Sequence, residues 1–308
     1  MLAIMNRLVI ALLLLSTGLT SCGGASLNPP SGSAAHCLPQ QGWVTPDGKT
    51  LEESAVIDRL AAHRIVLLGE SHDDQAHHDW QLDTLKRLFA ARPEMVIGLE
   101  MFPRKTQPAL DDWVAGRLTE AQFLDRTGWR QGWRFDPALY MGIFRFAREH
   151  RVAMRALNVD SALIRAVSRD GLESTPQSLR EGVGNPAPPS PAYRQWLAGV
   201  MAEHPTGKRP DELRSTRFVQ AQQVWDRAMA EGLAQASKTH DGALVVGIMG
   251  SGHIIHGFGV PHQLRDLGID SLATALPWNT DTNCDELVAD AADVIFAIGP
   301  DTALTKRQ

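Results

Sequence analysis

The sequence is short of several things, and each shortage removes a class. Of 308 residues only three are cysteine (Cys22, Cys37 and Cys284), and no Cys-x-x-Cys or Cys-x-x-Cys-His occurs. That argues against a zinc ribbon and against covalently attached c-type haem. There is no basic run, and 30 Lys and Arg stand against 35 Asp and Glu for a formal net charge of −5. No nucleic acid partner is therefore expected. Tyrosine is confined to Tyr140 and Tyr193. The aliphatic run Leu8 to Leu15 is too short for a membrane span, which needs about 20 residues. No internal repeat of fixed period is present.

Arg7 is the only charge before residue 30 and precedes that aliphatic run. A basic start, a short apolar core and small residues predict a signal peptide over residues 1–21. Leu19-Thr20-Ser21-Cys22 resembles the lipobox of bacterial lipoproteins. The resemblance implies cleavage before Cys22, lipid on its thiol with acyl chains such as palmitate, and anchorage to the membrane. Gly23, in place of an aspartate, implies the outer membrane of the bacterial envelope. The plain alternative is a secretory signal with an incidental cysteine. Residues 22–48 are rich in Ser, Pro, Gly and Asn and read as a flexible tether. Residues 49–308 are long enough for one large core. In an oxidising compartment Cys37 and Cys284 could pair, which spacing does not decide.

Short aliphatic runs alternate with amphipathic segments along the domain. Ile65 to Gly69, Met95 to Leu99, Val152 to Leu157 and Ala243 to Met249 read as buried strands, with Ser271 to Leu276 and Val294 to Ile298 as weaker ones. Unbroken apolar runs suit parallel strands covered on both faces. Helices are expected over Leu51 to His63, capped by Thr50, and over Asp74 to Ala91, Pro137 to His150 and Asp211 to Ser237. Thr119-Glu120-Ala121-Gln122 has the form of a capping box. The expected fold is α/β, a largely parallel sheet flanked by helices, with a mostly helical insertion at about residues 160–240.

Ligands of open parallel sheets bind outside the carboxyl ends of the strands. Just past the buried runs come Gly69-Glu70-Ser71-His72, then Glu100, then Asn158 and Asp160, then Gly250-Ser251-Gly252-His253. Glu70, His72, Glu100 and His253 can hold a divalent metal with an open position for water, or do acid–base work without metal. The same residues can also be helix caps and satisfied polar positions. His78 shares an inward helical stripe with Leu82, as a buried histidine or a ligand, and His77 lies on a more polar face. Trp129 to Phe135 interleaves aromatics with Arg130 and Arg134, a pattern suited to stacking a flat anion or simply to core packing. A phenolate is a legitimate haem-iron ligand, which makes both tyrosines candidates if haem is the cargo.

Leu68 to Asp73 with His77-His78 and Gln81, Gly98 to Phe102, Gln107 to Asp111, Tyr140 with Phe146 to His150, Arg155 to Asn158, Trp225 to Ala230 and Gly250 to His253 together resemble the ChaN-like haem-binding uptake proteins. These share a superfamily with Tiki proteases and, more distantly, erythromycin esterases. The resemblance implies a surface lipoprotein that binds haem in iron acquisition, through a tyrosine, as a homodimer across paired haems. Tyr140 is the expected ligand because it lies in a matching segment, with His78, Arg130 and Arg134 around the haem. The Tiki side implies instead a metal-dependent hydrolase or protease using Glu70, His72, Glu100 and His253. Whether the chain is an enzyme stays open at this point.

Overall fold

The computed structural model describes residues 38–203, 212–280 and 290–300. The expected signal peptide, Cys22 and the Cys37–Cys284 pair lie outside the described residues. Among the described residues no helix is long and apolar enough to cross a membrane.

In chain order the elements are β1 (Gln41–Val44), α1 (Glu53–Ala61), β2 (Ile65–Leu68), α2 (Gln75–Ala91), β3 (Met95–Pro103), α3 (Gln107–Val114), α4 (Glu120–Arg126), α5 (Trp129–Gly132) and α6 (Ala138–Glu149). There follow β4 (Ala153–Asn158), α7 (Ser161–Asp170), α8 (Pro191–Glu203), α9 (Glu212–Thr239), β5 (Leu244–Ile248), α10 (Gly259–Asp266), β6 (Leu272–Asn279) and β7 (Val294–Ile298). The strands form one sheet in the order β1-β7-β6-β2-β5-β3-β4. Every pairing is parallel except β1 with β7. This is the expected α/β class, with α7 to α9 as the helical insertion between β4 and β5.

Why the strands read as unbroken apolar runs is visible in β2. Val66 and Leu68 pack with Leu85, Leu88 and Ile143 on the face covered by α2 and α6. Ile65 and Leu67 point the other way, into a cluster with Met229, Leu233 and Leu264 from α9 and α10. Side chains alternate between faces, and both faces are dry.

Three local expectations need correction. Gln41–Val44 falls in the segment read as tether, yet it is an edge strand on β7, with Trp43 5.8 Å from Trp80 and 5.1 Å from Phe296 between ring centroids. Thr50 does not cap α1; it bridges to Val44, and the cap position is Glu52, whose side chain makes no capping bond. β3 runs on past Leu99 to Pro103, with a register shift against β4, so Glu100 belongs to a strand and not to a loop. The capping box at Thr119 forms as expected.

α9 lies unusually close to the sheet at Gly98. A Cβ there would stand 2.8 Å from the Leu233 side chain and 3.0 Å from that of Leu157. Gly98→Val should therefore overpack the interface and cost about 1–3 kcal/mol. Urea unfolding of the two proteins checks this; an unchanged midpoint would mean that α9 yields freely there.

Candidate functional site

β2, β5 and β3 are adjacent interior strands of the sheet, in register at Leu68, Ile248 and Leu99. Their carboxyl ends bring together the four residues picked out by the sequence. Glu70 follows β2 and is buried. Its Oε1 accepts a 2.5 Å hydrogen bond from Nδ1 of His72, whose side chain is 29% exposed. Glu100, from β3, is buried; its Oε2 accepts the Gly250 N–H at 2.7 Å. Gly250 has to lack a side chain, since a Cβ would lie 2.9 Å from Cε1 of His72. His253 stands with Nε2 3.5 Å from Oε1 of Glu100 and Nδ1 2.6 Å from Oδ1 of Asp226.

Asp226 is the member that sequence reasoning missed. It is fully buried on α9, and its Oδ2 accepts the Tyr193 hydroxyl of α8 at 2.7 Å. A signal was available: Asp226 precedes Met229, Ala230 and Leu233 by three, four and seven residues, so an acid sits on the inward stripe of an amphipathic helix. A carboxylate there needs a partner, and the partner is His253.

The charges support one another. Burial disfavours the Glu100 carboxylate, but His253, His72 and the Gly250 N–H outweigh it and hold its pKa at about 2. Burial likewise disfavours protonated His253, yet Glu100 and Asp226 lift it to about 10. For His72 burial opposes the charge too, and the Glu70 hydrogen bond and the Glu100 charge move it upward from its ordinary value.

Among the described residues, Glu70, His72 and Glu100 could hold a metal ion, with one ligand atom each lying within 4.8 Å of the others. His253 is not in that set; its two nitrogens lie 3.5 Å from Glu100 Oε1 and 2.6 Å from Asp226 Oδ1. Oε2 of Glu70 and Oε1 of Glu100 are buried and make no hydrogen bond.

The remaining histidines of the first motif shape the loop. Nδ1 of His77 accepts the Ser71 N–H at 2.9 Å, so Nε2 carries the proton and donates to Asn279 Oδ1 at 3.2 Å. His78, expected near the haem, is buried: its ring nitrogens face Gln81 Oε1 and the His72 carbonyl, each at 3.3 Å. Tyr140 is likewise fully buried, 4.1 Å from the His78 ring, and its hydroxyl donates to the His72 carbonyl at 3.2 Å. A phenol placed there supports the loop from beneath. Burial, with Glu70 next, pushes its pKa far up.

Arg130 and Arg134 do reach the surface. With Trp129, Phe135, Asp136 and Pro137 they line an open cavity of about 400 Å³. Arg134 adopts a left-handed backbone, φ 72°, that turns the chain between Trp133 and Phe135. Those two rings lie 4.6 and 5.1 Å from His72, so the aromatic and arginine segment borders the Glu/His cluster.

The sequence profile described as haem-binding uptake, Tiki superfamily, ChaN matches residues 56–264, which is most of the domain and all of the cluster. The chain belongs to this ChaN family. Among solved structures it is similar to ChaN of Campylobacter jejuni, described as binding heme cofacially, at TM-score 0.63 and 15% identity, covering 84% of this chain and 97% of that one. An erythromycin esterase variant in its open conformation aligns at TM-score 0.46 and 12% identity over 77% of each chain. A Bacillus cereus protein aligns at TM-score 0.47 and 9% identity, covering 84% of this ChaN-family chain and 95% of that one. At these identities the ChaN likeness speaks to the fold, and the two weaker ones carry no argument. No curated protein sequence matches the chain.

The site makes stability depend on pH in a definite direction. The folded pKa of His253, about 10, lies above its ordinary 6.5, so its contribution is complete below about pH 6.5 and is lost as pH rises through 10. Glu100 runs the other way, contributing fully above 4.5 and losing that contribution as pH falls toward 2. His253→Gln should be less stable by about 3–5 kcal/mol at neutral pH, because Glu100 and Asp226 lose their counter-charge. Its melting temperature should also lack the alkaline decline of the natural protein. Equal alkaline slopes in calorimetry would assign that decline to another group.

Proposed function

We propose that this chain binds haem at the carboxyl edge of its sheet and acts in haem uptake. The observation that carries the reading is the Arg130 and Arg134 cavity, which opens beside His72 inside the segment that matches the ChaN family. Haem presents a broad apolar face and two carboxylates. Half-buried Trp133 and Phe135 suit the face, and two exposed guanidinium groups suit the propionates. The described residues thus fit a flat dianion at this edge; Tyr140, the iron ligand that the resemblance leads one to expect, lies buried beneath it with its hydroxyl on the His72 carbonyl. When bound, haem supplies an iron centre whose behaviour follows its axial ligand.

The proposal extends to where the protein works. The lipobox-like Leu19-Thr20-Ser21-Cys22 supports a lipid anchor on Cys22 in the bacterial envelope, at the outer membrane. A haem lying on one shelf leaves its second face open, which supports a homodimer closing over the edge, as the cofacial binding described for the Campylobacter jejuni protein suggests.

A second reading rests on one specific feature, the two buried carboxylate oxygens without hydrogen bonds, Oε2 of Glu70 and Oε1 of Glu100. With His72 they suit a divalent cation, which would lower the pKa of bound water toward neutrality and support hydrolysis.

Hemin titration of the purified chain should give a saturable shift of the Soret band. Replacing both Arg130 and Arg134 by alanine should weaken binding at least about tenfold, the scale of one charge-assisted hydrogen bond. Absence of saturable binding, with tight and stoichiometric zinc or manganese uptake, would transfer the site to the second reading. Cys22→Ala should move the protein from the membrane fraction to the soluble one.

A further inference from the structure

The helical insertion holds a cavity that the sheet edge does not use. α8 and α9 are clamped at two points: the Tyr193 hydroxyl donates to Asp226 at 2.7 Å, and the Ser215 hydroxyl meets Sδ of Met201 at 3.8 Å. Between the clamps the helices part over a cavity of about 310 Å³. Arg194, Leu197, Ala198 and Met201 recur at three- and four-residue spacing and turn one face of α8 toward it. Phe218 and Val219 of α9, with Pro189, complete an apolar wall. Ala198 is the short member of the α8 face, and a larger side chain there would project into the space.

Most polar atoms around this cavity are already spent. Thr216 Oγ1 donates to the Glu212 carbonyl at 2.9 Å, and Gln223 Nε2 donates to the Ala187 carbonyl at 2.7 Å. Gln220 Oε1 accepts the Leu172 N–H at 3.1 Å. Among the described residues, the Arg194 guanidinium and Nε2 of Gln220 are left without an acceptor. Both groups can only donate. The two clamps make the helices antiparallel and set Arg194 toward Gln220 and Gln223, at the end away from Glu212. Glu212 stands eight residues before Gln220, or about 12 Å along α9. The cavity thus offers donors at one end, apolar walls in the middle and a carboxylate at the far mouth. A largely apolar pocket with a few convergent polar groups takes a ligand that those groups orient.

We infer that this cavity binds a medium-chain fatty acid, with its carboxylate on Arg194 and Gln220 and its alkyl chain along Leu197, Phe218 and Met201. An arginine–carboxylate pair is charge-assisted and belongs to the stronger class of hydrogen bonds. Met201 supplies an adaptable floor for the chain. Glu212 repels the same head group at the other mouth and so fixes the direction in which the acid lies. The length is bounded as well, because Arg194 and Met201 are seven residues apart, about 10 Å along α8. The site goes beyond the haem reading and does not depend on it: no residue that lines the cavity belongs to the Glu/His cluster or to the Arg130 and Arg134 cavity.

The test is calorimetric titration of the purified full chain with hexanoate, octanoate, decanoate, dodecanoate and tetradecanoate. Affinity should rise about fourfold with each added methylene, the worth of burying one, and level off once the chain outgrows the groove. Decanol should bind at least about tenfold more weakly than decanoate, for want of the charge-assisted bond. Arg194→Gln should bring decanoate down to the level of decanol and leave decanol unchanged, a split that a merely structural arginine would not produce. Ala198→Trp should abolish binding of both, with the melting temperature and the hemin titration unchanged. Absence of saturable decanoate binding, equal affinity for decanol, or an Arg194→Gln protein that binds decanoate like the natural one would overturn the assignment and leave the haem reading standing. Binding to anionic phospholipid vesicles without binding of decanoate would also overturn it, and would make the groove a membrane contact instead.

Discussion

A negative charge buried at the carboxyl edge of the sheet is the constraint on which the rest of the site depends. Glu100 sits on β3, out of water, and is held ionised by the Gly250 N–H and by His253. His253 requires Asp226 in turn, and Asp226 requires the Tyr193 hydroxyl. One carboxylate on β3 thereby fixes the turn after β5 and the placement of α9 and α8. Buried ion pairs give little net stability, because the desolvation of each charge offsets their attraction. What they give here is a single arrangement: each of these four side chains in another position would leave a buried polar group unpaired. The helical insertion between β4 and β5 is in this sense part of the site, although Asp226 meets its ligand-binding edge only through His253.

A second network holds the loop between β2 and α2. Asp74 caps the helix by accepting the N–H groups of Ala76 and His77. His77 accepts from Ser71, and Gln81 donates to the carbonyls of Leu68 and Gly69 at 3.1 and 3.0 Å. His78 and Tyr140 both address the His72 carbonyl from below. Backbone groups that a sharp strand-to-helix turn would leave unpaired are thus satisfied by side chains. The outcome is a rigid platform with one imidazole, His72, left at its surface. The dense histidines of this segment therefore divide their work, two building the loop and one facing outward.

Function at the edge follows from the meeting of these networks with the segment Trp129 to Phe135. The two buried carboxylate oxygens that make no hydrogen bond, the partly exposed imidazole and the aromatic segment that leads to the arginine-lined cavity lie close together. A chain of the ChaN family can in this way keep a Glu/His cluster and still present a flat, cationic and aromatic surface. The two readings of the site differ in which side of His72 meets the ligand: the buried carboxylates or the aromatic shelf.

Local pattern and the geometry of parallel sheets determined a large part of this protein from sequence alone. Unbroken aliphatic runs gave six of the described strands, and the residues just beyond them gave Glu70, His72, Glu100 and His253, because strand ends share one edge. Tertiary structure decided what depends on partners remote in the chain. β1 became a strand only by pairing with β7, more than two hundred residues away, where Trp43 finds Trp80 and Phe296. Asp226 joined the site because His253 needed a counter-charge, and the two tyrosines were withdrawn from the surface by burial and by Asp226 and the His72 carbonyl. Sequence patterning reports which way a residue faces on its own element. Whether its polar atom is then spent on a neighbour is settled only when distant elements close over it.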